Sequence, residues 1–177
     1  MNWESFHQRG DVLNAAITEI GVRRDGTLPM DLTGVEQTFR DELDLLGAVQ
    51  LKWSARLAGL LERVFAEQPD DLEQAVLRAW RLADEELPGV KAVLDHYTAH
   101  PTSDLMAQAM AKCVRKERTM LAANAGRISY MNDEDLGSRI GAGLEANAKD
   151  ASFHVEMPQP DAPRTLRERL REAVFAA

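Results

Sequence analysis

Two histidines, His96 and His100, stand four residues apart in the sequence Asp-His-Tyr-Thr-Ala-His that begins at residue 95. Residues four apart lie on the same side of an α-helix, so the two imidazoles could chelate a metal ion. A metalloprotease helix carries a glutamate directly after its first histidine, whereas Tyr97 occupies that position here. Pro101 ends the helix after His100, where an imidazole can instead interact with the last free carbonyl groups. The pattern favours a helix end, and a metal site is the alternative hypothesis.

A cluster of basic residues lies in the stretch 112–118, which holds four bases and one acid in an otherwise acidic chain. Lys112, Arg115 and Lys116 come close together on a helix, where they could receive a phosphate, an RNA backbone or an acidic partner helix. The alternative is a solvated face that acids on neighbouring helices compensate. The sequence therefore predicts a solvated face, with these three residues as candidate anion ligands.

Carboxylates are concentrated at Asp41, Glu42 and Asp44, which raises the hypothesis of a di-metal helical bundle. Such bundles use Glu-x-x-His pairs on facing helices. The only such spacing in this chain joins Glu4 to His7, and a single pair near a chain end cannot hold two metal ions. We therefore expect the three acids to form a solvated face.

The stretch 137–143 is rich in glycine, but it lacks the preceding strand and the Gly-Lys-Ser/Thr sequence of a phosphate-binding loop. Gly137 and Gly141 instead predict a flat helix face for close packing. No local signature of a serine or cysteine nucleophile is present either. The sequence therefore gives no support for an enzyme, and it predicts no cofactor.

One apolar stripe organises the middle of the chain, with an average spacing of about 3.6 residues, the period of an α-helix. No proline interrupts the segment between Met30 and Pro69, so the pattern predicts a single helix of roughly 35 residues and 52 Å. That length exceeds a compact diameter near 40 Å, which implies a bend at Gly47 or Gly59, or an elongated molecule. The stripe consists of Val35, Phe39, Leu43, Leu46, Val49, Trp53, Leu57, Leu60 and Val64.

Turn and capping residues divide the rest of the chain into further helices. The first helix should end near Gly21, and the Pro88-Gly89 pair should separate two later ones. Trp53 and Trp80 lie on the stripes of consecutive helices, so we expect them to meet. The expected N-caps are Asp31 or Thr33 for the long helix, Asp70 or Asp71, Thr102 or Ser103, and Asn132.

These elements predict an all-α fold, an up-and-down bundle of four to five main helices over residues 1–149. Residues 150–163 contain three prolines and predict an extended linker, in which Phe153, Val155 and Met157 alternate as in a short strand. Residues 164–177 predict an amphipathic terminal helix.

Composition places the chain among ordinary globular proteins. It has 177 residues, 45% of them hydrophobic, and a formal net charge of −8, which argues against a dedicated nucleic-acid binder. The single cysteine, Cys113, agrees with a reducing compartment, and it falls in register with Met110 as a small buried residue. No segment has the pattern of a membrane span or a secretory signal, so we expect a cytoplasmic protein without membrane partners.

The sequence favours a non-enzymatic interaction or regulatory protein that binds another protein and itself. The long helix, the missing catalytic signature and the tethered terminal helix motivate this hypothesis. A small-ligand or metal-binding bundle that uses His96 and His100, with possible enzymatic activity, is the alternative, and a DNA-binding regulator that uses residues 112–118 is a third class. The candidate partner-binding residues are Leu166, Leu170, Val174, Arg167 and Arg171.

Overall fold

The computed structural model describes residues 3–129 and 134–150, with side chains from residue 8 onward. Within these ranges the chain forms seven helices and no strand, which confirms the predicted all-α class. The helices are α1 (Trp3–Arg23), α2 (Val35–Thr38), α3 (Glu42–Ala66), α4 (Leu72–Glu86), α5 (Val90–Ala99), α6 (Asp104–Asn124) and α7 (Glu134–Lys149).

The prediction of one uninterrupted helix from residue 35 to residue 69 is wrong. The backbone is extended at Phe39, and α3 begins only at Glu42. The carboxylate of Asp41 accepts the backbone N–H of Asp44 at 2.8 Å, and the Asp44 carboxylate accepts the backbone N–H of Arg40 at 3.2 Å. These side chains replace helical hydrogen bonds, so the break is stable. At 25 residues α3 spans about 37 Å, and no elongated molecule is needed.

The apolar stripe nevertheless faces inward, as its spacing predicts. All of its members are buried except Leu43, which is half-buried. Phe39 also lies in the core, although the backbone leaves the helical conformation there. Trp53 and Trp80 meet as predicted, with ring centroids 5.7 Å apart in an edge-to-face arrangement. The long stripe therefore forms the centre of the core even though it belongs to two helices.

Capping residues set several of the helix boundaries. Asp71 caps α4 and Ser103 caps α6, as expected. Asp41 caps α3, so the expectation of Asp31 or Thr33 is wrong. Gly89 is the N-cap residue of α5 with a φ of 80°, and a Cβ there would lie 2.9 Å from the carbonyl oxygen of Ile20. A glycine is therefore required where α1 ends against α5.

Close packing of α6 against α7 depends on Gly141, a member of the 137–143 stretch that predicts such packing. A Cβ on Gly141 would lie 2.0 Å from the carbonyl oxygen of Arg118, and one on Gly137 would lie 2.6 Å from Ile128. The neighbour of Gly141 is backbone, so the helices can approach this closely only because that position lacks a side chain, whereas the neighbours of Gly137 are side-chain atoms.

Residues 151–177 lie outside the described residues, so the alternation at 153–157 and the terminal helix at 164–177 stay predictions. Among the helices that the structure describes, none is long and apolar enough to cross a membrane.

Candidate functional site

An open groove runs along α3, with α1 and α6 on its two sides, and its volume is about 860 Å³. Lys52 on one flank of α3 lies 3.5 Å from Asn14 of α1, whereas Gln50 on the other flank lies 3.5 Å from Glu117 of α6. Helix α3 therefore lies between the other two and forms the floor. We call this feature the α3 groove.

The lining of the α3 groove is mainly apolar and is unusually open to solvent. Leu51 on the floor is 70% exposed, and Leu105 on the α6 side is 66% exposed. Small residues line the space around them, among them Gly47 and Ala55 on α3 and Ala109 on α6. A Cβ added at Gly47 would meet nothing within 4 Å, so packing within the chain does not require a glycine there.

Charged side chains stand at the rim near the start of α3. Arg9 donates to the carbonyl oxygen of Thr38 at 2.9 Å and to Asp44 at 3.0 Å, and its guanidinium lies 4.2 Å from the ring centroid of Phe39. Partial burial raises the pKa of Asp44, but hydrogen bonds from the Arg40 backbone and from Arg9 outweigh it and leave that pKa below the ordinary value. Asp44 is therefore ionised and already engaged.

The rim as a whole is more basic than the rest of the chain. Three bases line the groove, Arg9, Arg40 and Lys52, against the two acids Asp41 and Asp44. The complete chain carries 29 acids against 21 bases. The groove therefore combines an apolar surface with a rim whose formal net charge is positive by one base.

A buried cluster of charges lies beneath the groove, where α3, α5, α6 and α7 meet. Lys91 of α5 lies 2.8 Å from Glu145 of α7 and 3.9 Å from Glu117 of α6. Trp53 of α3 donates its indole N–H to Glu117 at 3.1 Å. Arg118 donates to the second carboxylate oxygen of Glu145 at 3.1 Å. The cluster joins the groove floor to three other helices.

The pKa values of the two buried glutamates are shifted in opposite directions. Burial raises the pKa of Glu117, and its attraction to Lys91 only partly offsets that effect. Burial also acts on Glu145, but its close contacts with Lys91 and Lys149 lower the pKa to about 2. The cations hold Glu145 ionised, whereas Glu117 lies farther from Lys91 and is closer to neutrality. The charged groups of the cluster are engaged with one another and with Trp53, so we assign the cluster a structural role.

The predicted histidine pair lies at the surface end of α5. The ring centroids of His96 and His100 are 5.1 Å apart and both side chains are exposed. The backbone N–H of His100 bonds to the carbonyl of His96 at 2.8 Å, which closes the helix as the sequence favours. In the part of the chain that the structure describes, no group of three possible ligands could hold a metal ion.

The predicted basic ridge is exposed on α6. Arg115 lies 3.7 Å from Asp135, while Lys112 and Lys116 form no ion pair with the described residues. Burial raises the pKa of Cys113 more than the nearby lysines lower it, so these cations do not make it a reactive thiolate. Anion binding at the ridge stays a prediction.

The acids expected to form a solvated face are engaged in contacts. Glu42 accepts the Tyr97 hydroxyl at 2.6 Å and the Thr102 hydroxyl at 3.0 Å. Asp41 caps α3 and Asp44 binds Arg9. These carboxylates fix the start of α3. Asp41 is exposed, as expected for a solvated face, whereas Glu42 and Asp44 are partly buried.

Neither the groove nor the buried cluster is among the features that the sequence predicts. A signal for the groove was present, because Leu51 and Leu105 lie off the apolar stripes of their helices. The candidate partner-binding residues at 166–174 lie outside the described residues.

No protein-family model, curated protein or solved structure matches this chain.

Proposed function

We propose that this chain is a non-enzymatic interaction protein that binds an amphipathic helix of another protein in the α3 groove. The observation that carries the proposal is the exposure of two leucines on one concave apolar surface, Leu51 on α3 and Leu105 on α6. Apolar side chains this exposed in a groove are typical of an interaction site.

The shape of the groove favours a single helix as the occupant. The floor from Leu43 to Ala55 is about 18 Å long, the length of about twelve helical residues. Small residues at Gly47, Ala55 and Ala109 leave space for bulky apolar side chains of a partner, which recur every three or four residues on an amphipathic helix. A concave surface also fits a convex helix better than it fits a second copy of itself.

The floor is held in place before any partner binds. Trp53 is fully buried, bonds to Glu117 and packs against Trp80, on the opposite side of α3 from Leu51. A preorganised surface loses little conformational freedom on binding, so more of the contact energy appears as affinity.

Selection of helical peptides of about 14 residues from a random library against the full chain tests this proposal. We expect selected peptides with apolar residues at helical spacing, and at least about tenfold weaker binding to Leu51→Asp. Val22→Asp is the matched control, because Val22 is 72% exposed and does not line the groove. Peptides that bind the two variants equally would contradict the proposal.

A second pair of variants separates filling of the groove from a change in helix stability. Gly47→Leu and Gly59→Leu each replace an α3 glycine at which an added Cβ meets nothing within 4 Å. Only Gly47 lines the groove. We expect peptide binding to be lost in Gly47→Leu and kept in Gly59→Leu.

A second copy of the chain is the competing occupant, because the sequence-based hypothesis included self-association. Light scattering at several concentrations detects it. A dimer that Leu51→Asp dissociates and Val22→Asp does not would assign the groove to a second copy and overturn our proposal.

We also propose, from sequence pattern alone, a bundle followed by a linker at 150–163 and a second partner-binding element at 164–177, in a cytoplasmic protein. Its apolar residues are Leu166, Leu170 and Val174, with Arg167 and Arg171 beside them. Deleting residues 160–177 should leave thermal unfolding nearly unchanged while it removes a partner that this element captures. Equal loss of folding would contradict the docking role.

A further inference from the structure

We infer that the helix accepted by the α3 groove carries acidic residues along its flanks, which Lys52 and Arg40 recognise. This inference rests on the proposed function, and it specifies the chemistry of the partner. It follows from a difference between the rim charges: the acids are held by contacts within the chain, whereas two of the bases are largely free of such contacts.

The acids of the rim are occupied by contacts within the chain. Asp44 accepts hydrogen bonds from the Arg9 side chain at 3.0 Å and from the Arg40 backbone at 3.2 Å. Asp41 caps α3, where the helix N-terminus stabilises its negative charge. Neither carboxylate is therefore placed to attract a basic partner strongly.

The bases Lys52 and Arg40 of the rim can still form ion pairs with an occupant of the groove. Lys52 is exposed, lies 3.5 Å from the Asn14 amide oxygen and forms no ion pair with the described residues. The Arg40 side chain is 86% exposed and meets Asp44 through its Nε at 3.4 Å, a long contact. The two bases can therefore each donate hydrogen bonds to a carboxylate of an occupant.

The spacing of these bases sets the pattern expected in the partner. Arg40 lies two residues before α3, and Lys52 lies nearly three turns along the helix, about 15 Å from its first residue, Glu42. Leu51 and Ala55 lie on the floor close to Lys52. A matching helix presents its apolar face to the floor and carries carboxylates about three turns apart beside that face.

The net charge of −8 does not prevent this recognition. Charges on distant faces are screened over about 8 to 10 Å at physiological salt, whereas a contact pair at the rim is much closer. The local basic rim therefore decides which flanking charge the groove prefers.

Two designed helical peptides of about 15 residues, capped at both ends, test the inference by fluorescence polarisation with the full chain. Both carry leucines at helical spacing, and their flanks are glutamate in one peptide and lysine in the other. We expect the glutamate peptide to bind at least about tenfold more tightly. We expect Lys52→Glu to abolish or invert this preference.

Lys116→Glu is the matched control, since it makes the same charge change at an exposed position of α6 outside the groove lining. Retained preference in Lys52→Glu and in Arg40→Glu, or tighter binding of the lysine peptide, overturns the inference. Equal binding of both peptides that Leu51→Asp abolishes leaves the helix-binding function standing and overturns only the acidic partner. Binding of neither peptide overturns both.

Discussion

The ammonium nitrogen of Lys91 lies 2.8 Å from a carboxylate oxygen of Glu145, and both side chains are buried. This pair joins α5 to α7, and Glu117 of α6 lies 3.9 Å from the same ammonium. Two buried carboxylates therefore share one buried cation, with support from Lys149 at 2.9 Å from Glu145. Loss of the central cation removes the ion-pair partner of Glu117 and leaves Glu145 with the more exposed Arg118 and Lys149.

We expect Lys91→Met to lower the free energy of unfolding by about 3 to 5 kcal/mol, because it removes the buried cation that Glu117 and Glu145 share. Lys149→Met, which removes a half-exposed partner of the same Glu145, should cost about 1 kcal/mol or less. Urea unfolding followed by circular dichroism measures both. If Lys91→Met fails to fold, the double variant with Glu145→Gln should recover folded protein. Equal costs in the two single variants would contradict this account.

The stabilising contribution of Glu145 should be lost in acid. Its pKa is about 2 when folded and 4.5 ordinarily, so its contribution is present above about pH 4.5 and is lost as the pH falls through 2. The full contribution corresponds to about 3 kcal/mol. Urea titrations at a series of acidic pH values should show the stability gap between the wild-type chain and Glu145→Gln narrowing as the pH falls. A constant gap would contradict the assignment.

Glu117 should show the opposite pH dependence. Burial raises its folded pKa above the ordinary 4.5, so its contribution is present below pH 4.5 and is lost as the pH rises through the folded pKa. We expect Glu117→Gln to remove this loss, so the variant gains stability relative to the wild-type chain between pH 4.5 and neutrality. Parallel stability curves for the two proteins would contradict the prediction.

Gly141→Ala should destabilise the contact between α6 and α7. The new Cβ would lie 2.0 Å from the Arg118 carbonyl oxygen, so the two helices must separate, at a cost of about 1 to 3 kcal/mol or more. Gly143→Ala, two residues along the same helix, meets nothing within 4 Å and should instead stabilise the chain by up to about 1 kcal/mol. Opposite shifts of the urea midpoint are the expected outcome.

Asp71→Ala should cost about 1 kcal/mol, because the Asp71 carboxylate accepts the backbone N–H groups of Glu73 and Gln74 at the start of α4. Asp70→Ala removes an equal charge from the neighbouring residue, which does not cap the helix. Thermal unfolding of the two variants separates the loss of the cap from the loss of charge. Matching midpoints would show that charge alone is responsible.

Local patterns predicted much of the fold. The spacing of the stripe placed Trp53 in the core, and residue type narrowed the caps to Asp70 or Asp71 for α4 and to Thr102 or Ser103 for α6. Each of these features depends on neighbours within one or two helical turns, which is why the sequence shows them. The glycine-rich stretch also predicted close packing, although it did not show that Arg118 is the neighbour of Gly141.

The apolar spacing did not predict the break before α3, and the reason is physical. Phe39 and Leu43 are four residues apart, so the helical spacing continues across an interruption of the backbone. Asp41 and Asp44 stabilise that interruption with side-chain hydrogen bonds, which an apolar pattern does not record.

The sequence by itself determined that this protein is helical, which face of α3 is apolar and where several helices begin, because periodicity and capping act over a few residues. Only the tertiary structure decided that Trp53 meets Glu117, 64 residues away, and that Leu51 and Leu105 share one open groove. Contacts between distant segments depend on how whole helices pack, since burial and electrostatic attraction act between whichever surfaces come together.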